Sequence, residues 1–261
     1  MPKIIFYIDY QKDLESVFRR LVNIDPAGLE YRLKQRKDLD RSVIEVILKE
    51  KKAEKQKEIF NYFLEDYYRK NLAQMKVVRD NYQKIWEKKQ KPFFELVTGV
   101  MGDLPWNFRE YRFLVSSFYA KAAWGKSNNL ATWWRRKTEA NYHMNGYELV
   151  LTHFFETVDQ IYKDKRPVSD WHLWALAEIT AHILVFKVSG VRENLWPDLG
   201  KQLFKQPIED NFKTGSYPQL ANLAKEIYQL FQETENYKEY IQQAITLVKK
   251  YPEKRLLSPS R

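Results

Sequence analysis

Apolar residues recur every three or four positions through most of the chain, and this spacing predicts a predominantly helical protein. Residues 12–23 have an amphipathic helical pattern, and a second helical pattern runs from about 28 to 90 without Gly or Pro after residue 28. A single helix of that length would span roughly 90 Å, so we expect a break within the charged stretch 49–58. Pro92 is expected to end this block, and a short helix is expected at 93–101.

Three short segments have the β-branched and aromatic content that is typical of strands. They are residues 3–8, 110–118 and 130–136. The last two are expected to pair as an antiparallel hairpin or to lie as two neighbouring strands. Further helices are predicted at about 147–162, 171–188, 217–232 and 235–250.

The order of these elements predicts an α+β fold that is predominantly helical, with a small sheet and a long N-terminal helical arm. We expect residues 1–104 to form the N-terminal strand and the basic helical arm. Residues 105–261 are expected to form a core with C-terminal helices, and the two segments may equally be one continuous domain.

The amino-acid composition argues against several classes of protein and of metal site. Only 8 Gly and 10 Pro occur in 261 residues, which argues against a turn-rich, many-stranded β protein. Cysteine is absent, which excludes disulfides and Cys-ligated zinc. The N-terminal apolar run is too short for a signal peptide, and the most apolar stretch, 171–186, contains Glu178 and two histidines. These features predict a soluble, cytoplasmic protein with no membrane partner.

The formal net charge is +10, and most of the excess lies in one helical segment. Residues 32–91 contain 18 Lys+Arg and 10 Asp+Glu, a net charge of +8. A basic helical face attracts nucleic acid, so a nucleic-acid-associated protein is one functional hypothesis. Opposite charges alternate within 49–58, however, and pairing at i,i+4 favours a solvated helix surface.

Ionisable residues also occur on helices that are otherwise apolar. The pattern of 171–188 is apolar nearly all round and predicts a buried helix. Glu178 and His182 are four residues apart and share one side of it. A buried carboxylate needs a partner, so Glu178 is expected to pair with His182, a backbone donor or an arginine, or to bind a metal or substrate.

The preceding helix, about 147–162, carries His153 and Glu156, whose spacing brings both side chains towards one point in space. On its own a His-x-x-Glu pair is more often structural than functional. It gains meaning only if this side of the helix meets Glu178.

These two helices carry a resemblance to a known family. The order strand, strand, helix with Leu-Thr-His at 151–153, and helix with Leu-Ala-Glu-Ile at 176–179 resembles the gluzincin type of zincin metallopeptidases, over roughly residues 105–190. In that family the first helix supplies two zinc-binding histidines and a general-base Glu, and the following helix supplies a third ligand, a Glu. The resemblance implies that His153 and Glu178 correspond to the first and third ligands. It also implies that Trp133 and Trp134 lie on the strand that borders a substrate cleft.

Two positions depart from the family pattern. Phe154 stands at the general-base position, and a phenyl ring cannot take a proton from water. Thr157 stands at the second histidine position, where it would be a poor zinc ligand. We therefore expect a zincin-like protein that is catalytically degenerate, has no cofactor and acts by binding a protein or peptide.

An active metal-dependent hydrolase with altered ligands is the other alternative, in which His182 replaces the lost histidine. Its ligands for Zn²⁺, Fe²⁺ or Mn²⁺ would be His153, Glu178, His182 and Glu156. In a separate alternative, Glu156 or Glu148 acts as the base from a shifted position.

Overall fold

The computed structural model describes residues 1–23, 41–50, 52–102, 104–117, 127–163, 165–195, 206–213 and 217–253. The strands are β1 (Lys3–Tyr7), β2 (Glu110–Ser116) and β3 (Asn129–Trp133). The helices are α1 (Tyr10–Asn23), α2 (Arg41–Lys49), α3 (Ala53–Met101), α4 (Thr138–Tyr162), α5 (Asp170–His182), α6 (Val191–Leu195), α7 (Ile208–Lys213), α8 (Ala221–Glu233) and α9 (Tyr237–Val248). A π-helical turn, Ile183–Lys187, continues α5, and a 3₁₀ turn, Pro218–Leu220, precedes α8. The predicted α+β, predominantly helical fold with a small sheet is confirmed. None of the helices in the described ranges is long and apolar enough to cross a membrane.

The sheet is parallel throughout, in the order β1-β2-β3, with Phe6 opposite Phe113 and Phe113 opposite Leu130. The antiparallel hairpin was therefore the wrong alternative for the last two strands, and the neighbouring-strand alternative was right. Twelve residues separate Ser116 from Asn129, which is long enough for the crossover that a parallel pair needs. Because β1 pairs with β2, strands from both predicted segments share one sheet.

The long helix α3 forms the spine against which the sheet and α4 pack. It has 49 residues, a length of roughly 74 Å. Three residues, 50–52, separate it from the end of α2, inside the stretch where a break was predicted. The prediction that Pro92 ends the helix was wrong, because Pro92 lies inside α3. Its ring is exposed, where water can satisfy the carbonyl that loses its helical partner, and the buried Phe93 and Phe94 that follow hold the helix in place.

Two glutamines of α3 form hydrogen bonds with backbone groups at the outer edge of strand β1. The Gln83 side chain accepts a hydrogen bond from the Phe6 amide at 3.0 Å and donates one to the Ile4 carbonyl at 3.1 Å. The Gln90 side chain accepts from the Ile4 amide at 3.1 Å. The two side chains thus take the place of a further strand, which protects the sheet edge.

This arrangement predicts a residue-specific change in amide hydrogen exchange. In Gln83→Ala the Phe6 amide loses its acceptor, and in Gln90→Ala the Ile4 amide does, so each should exchange about ten-fold faster. The amides of Ile5 and Tyr7 point towards β2 and should change little. Exchange measured by NMR checks this, and equal acceleration of all four amides would contradict it.

Helix α4 begins earlier than predicted, at Thr138 rather than near 147. The sequence Asn145-Gly146 is typical of a turn, but here it lies inside the helix. A Cβ atom on Gly146 would stand 2.5 Å from Leu195 Cδ2, so the glycine permits close approach of α6. Asn145 donates to the Asn141 side chain at 2.5 Å, while its own buried side-chain oxygen has no hydrogen-bond partner among the described residues.

Helix α5 matches its prediction more closely. Ser169 is its N-cap and accepts a hydrogen bond from the His172 amide at 3.4 Å. Gly190, two residues beyond the predicted end of this helix, has φ = +85°, a conformation that favours glycine. The regular α-helix gives way earlier, to the π-helical turn after His182.

Candidate functional site

His153 is fully buried on α4, and both of its ring nitrogens have protein partners. Nε2 lies 3.2 Å from the Leu104 carbonyl oxygen, and Nδ1 lies 3.2 Å from the Thr157 hydroxyl. Trp106 packs on the ring, with centroids 4.3 Å apart. Burial lowers the pKa of His153 to about 4, against the opposing effect of the Leu104 carbonyl, so the imidazole is neutral near pH 7.

Glu156 lies one turn further along α4 and is also fully buried. Its carboxyl oxygens accept from the Tyr111 hydroxyl at 2.7 Å, and one accepts from the Asn107 amide at 3.1 Å. Burial raises the pKa of Glu156 to about 7, although the bonds from Tyr111 and Asn107 act to lower it.

Together these side chains hold the segment that connects α3 to β2. Gln160, one turn beyond Glu156, donates to the Pro105 carbonyl at 2.9 Å and to the Asn107 side chain at 2.6 Å. The row His153, Glu156 and Gln160 therefore binds residues 104–107, and we call this row the α4 latch. The His-x-x-Glu spacing does bring two side chains to one place, and what they meet there is a loop of the same chain.

Glu178 lies on α5 within a second group. Its Oε2 accepts from the Tyr147 hydroxyl at 2.5 Å, and the Trp174 indole N–H also bonds its carboxyl group. His182 Nδ1 lies 2.7 Å from the same hydroxyl and 3.0 Å from the Glu178 carbonyl oxygen. The expected Glu178–His182 association thus runs through Tyr147 and the backbone.

The charge states within this second group follow from burial. Burial raises the pKa of Glu178, and the bonds from Tyr147 and Trp174 act to lower it. Burial also lowers the pKa of His182 to about 4, so its imidazole is neutral near pH 7.

The two groups use different sides of α4. Tyr147, through which Glu178 is bound, precedes His153 by six residues, which is about 9 Å along the axis and roughly 120° around it. Among the residues described, no three His, Asp or Glu side chains are placed to share a metal ion. A site made of His153, Glu156, Glu178 and His182 would require these side chains to exchange their present partners. The zincin resemblance stays a prediction.

The two tryptophans predicted to border a cleft have different environments. Trp134 is 2% exposed, and its indole N–H donates to the Tyr67 hydroxyl at 3.0 Å. It therefore anchors the end of β3 to α3 and offers no free surface. Trp133, the last residue of β3, is half-buried, and its backbone carbonyl lies 3.3 Å from the Tyr82 hydroxyl.

One face of α5 is partly exposed, although its apolar pattern predicted a buried helix. Trp171, Trp174, Glu178 and His182 lie within about 80° of one another around the helix, and we call them the α5 aromatic stripe. Trp171 is 47% exposed, and Trp174 and His182 are half-buried. The ring of Tyr217 stands nearly perpendicular to Trp174, at 84° and 4.8 Å between centroids. The sequence signal that could have identified this face is the pair of tryptophans at i,i+3 ahead of Glu178.

A buried aspartate at the carboxyl ends of β1 and β2 was missed altogether. Asp13 of α1 is inaccessible to solvent and accepts hydrogen bonds from three side chains and one amide. The donors are the Ser116 hydroxyl at 2.5 Å, the Ser117 hydroxyl at 2.6 Å, the Ser117 amide at 2.8 Å and the Tyr68 hydroxyl at 2.8 Å. We call this the Asp13 cluster. Burial raises the pKa of Asp13, and these four bonds act against the rise.

The basic segment shows the charge pairing expected of a solvated helix. Asp66 lies 2.5 Å from Arg69 and 2.6 Å from Lys70, and Lys49 lies 3.9 Å from Glu45. Residues 32–40 and 51 of the segment are outside the described ranges. The nucleic-acid hypothesis stays a prediction.

No family model, curated protein or solved structure matches the chain.

Proposed function

We propose that this protein acts by binding a protein or peptide along the α5 aromatic stripe. The observation that carries the proposal is a contiguous run of aromatic rings, of which Trp171 is 47% exposed and Trp174 and Tyr217 are half-buried. The Trp171 and Trp174 rings are 6.1 Å apart at 82°, and Tyr217 continues the run. Single exposed apolar side chains are ordinary, but adjoining tryptophans and tyrosines are enriched where proteins bind each other.

The residues of the α4 latch support binding rather than hydrolysis. Phe154, at the position of the general base in the resemblance, is fully buried. Both nitrogens of His153 are used within the chain, as is the Glu156 carboxyl group. A zincin-like scaffold that lost its base and second histidine would keep a rigid core able to display a binding surface, which is the degenerate function inferred from the sequence.

The test is selection of 12-residue peptides from a random display library on the folded protein. We expect selected peptides to bind Trp171→Ala at least about ten-fold more weakly, because tryptophans at interface centres contribute 2 kcal/mol or more. The matched control is Tyr62→Ala on α3, where another large side chain is 79% exposed. Affinities from fluorescence anisotropy decide the matter, and peptides that bind the wild type and Trp171→Ala equally would overturn the proposal.

A further inference from the structure

We propose that Tyr147 is a redox-active tyrosine, which a one-electron oxidant at the protein surface oxidises through an electron path made of Trp174 and Trp171. Its hydroxyl group is buried and held between an acid and an imidazole, an arrangement that peptide binding does not use. This activity is independent of the proposed function.

The surroundings of the Tyr147 hydroxyl group provide an acceptor for its proton. The hydroxyl oxygen lies 2.5 Å from Glu178 Oε2 and 2.7 Å from His182 Nδ1. Nδ1 also lies 3.0 Å from the Glu178 carbonyl oxygen, which can only accept, so Nδ1 carries the ring hydrogen and donates. Burial raises the pKa of Glu178, so its carboxylate holds a released proton more firmly than an exposed carboxylate does. Glu178 is therefore the group that takes the phenolic proton.

Aromatic rings connect this buried hydroxyl group with the surface. The Trp174 indole N–H bonds the Glu178 carboxyl group that accepts from Tyr147, so one carboxyl group links the two aromatic side chains. The Trp174 and Trp171 rings are 6.1 Å apart between centroids, and Trp171 is exposed. In a chain without cysteine, tryptophan and tyrosine are the side chains that give up a single electron most readily. An electron can therefore pass from Tyr147 to the surface in short steps.

The oxidation balances with one external oxidant, such as a ruthenium(III) complex. The complex takes one electron from Trp171 and is reduced to ruthenium(II). Trp174 returns an electron to Trp171, and Tyr147 returns one to Trp174. As Tyr147 loses its electron, its O–H bond breaks and the proton forms an O–H bond with Glu178 Oε2. The product is a neutral phenoxyl radical whose oxygen accepts a hydrogen bond from His182 Nδ1. Because an oxidised phenol is a strong acid, a base already in contact with its proton makes the oxidation easier.

The experiment generates tris(bipyridine)ruthenium(III) by a light flash in the presence of persulfate and the folded protein. Tyrosyl radicals are followed by transient absorption and by electron paramagnetic resonance. We expect a long-lived tyrosyl signal, because a radical enclosed in the protein cannot couple with a second one, and we expect Tyr147→Phe to lose it. The matched control is Tyr111→Phe, which should keep the signal, since Tyr111 is another buried tyrosine bonded to a carboxyl group.

Two further variants test the electron path and the proton acceptor. Trp171→Phe removes the exposed electron donor without disturbing the interior, and the long-lived signal should be lost. Glu178→Gln keeps the shape and an acceptor oxygen but cannot take a proton, so the radical should form at least about ten-fold more slowly. A long-lived signal that persists in Tyr147→Phe would overturn the inference. Formation in Trp171→Phe or Glu178→Gln at the wild-type rate would overturn the electron path or the proton transfer, respectively.

Discussion

Replacing Asp13 with alanine is expected to lower the free energy of unfolding by about 4 kcal/mol, the largest effect of any single change considered for this protein. The substitution removes the acceptor for four donors of the Asp13 cluster, two hydroxyls of Ser116 and Ser117, one amide and the Tyr68 hydroxyl. Ser116 and Ser117 are inaccessible to solvent and Tyr68 is 6% exposed, so water does not readily replace the acceptor that these donors lose. Urea denaturation followed by circular dichroism measures the change.

Two variants give this prediction its control. Asp13→Asn keeps the shape and one acceptor oxygen, so its loss should be smaller, about half. Asp9→Ala removes a partly exposed carboxylate that accepts from the Lys12 amide at 3.0 Å, and this should cost about 1 kcal/mol. A loss for Asp13→Ala no larger than that for Asp9→Ala would show that the cluster does not hold α1 against the sheet.

Much of the fold follows from local sequence signals, since these report local physical constraints. The break between α2 and α3 falls in the alternating charges of 49–58, where no apolar residue offers a continuous face. Ser169 and Gly190 mark the ends of the helical stretch because an N-cap and a positive φ are properties of one or two residues.

The errors arise where distant residues decide the structure. Proline and glycine normally interrupt helices, but Pro92 lies inside α3 and Gly146 lies inside α4. Each helix continues because residues before and after this position pack against the rest of the protein. Phe93 and Phe94 are buried beside Pro92, and the Leu195 side chain occupies the space that a Cβ on Gly146 would need. None of these contacts can be inferred from the residues adjacent in sequence.

The candidate site shows the same division. The spacing of His153 and Glu156 predicted that both side chains converge, and they do. Their partners are a carbonyl and an amide of the 104–107 segment. This segment has no sequence motif from which the contact could be predicted. The apolar pattern of α5 did not predict which of its faces is exposed. Exposure depends on how α5 packs against neighbours that are far away in sequence.

Titration of Glu156 should make the chain less stable as the pH rises, and Glu156→Gln should abolish that part of the pH dependence. In the folded protein the pKa of Glu156 is about 7, above its ordinary value of 4.5. Below pH 4.5 the carboxyl group is protonated in both states and burial costs little. Between pH 4.5 and 7 the unfolded chain releases the proton and the folded protein retains it, so the free energy of unfolding falls by about 1.4 kcal/mol per pH unit, about 3 kcal/mol in total.

The measurement is the difference in unfolding free energy between Glu156→Gln and the wild type, from urea titrations at pH 4.5 to 8. We expect this difference to shift by about 3 kcal/mol in favour of the variant as the pH rises. His153 and His182, whose pKa values are lowered to about 4, destabilise both proteins as the pH falls from 6.5, so their contribution cancels. Gln160→Ala removes another bond of the α4 latch without a titrating group, and its effect should be constant with pH. A constant difference for Glu156→Gln as well would mean that Glu156 ionises as it does in water and that the latch is open to solvent.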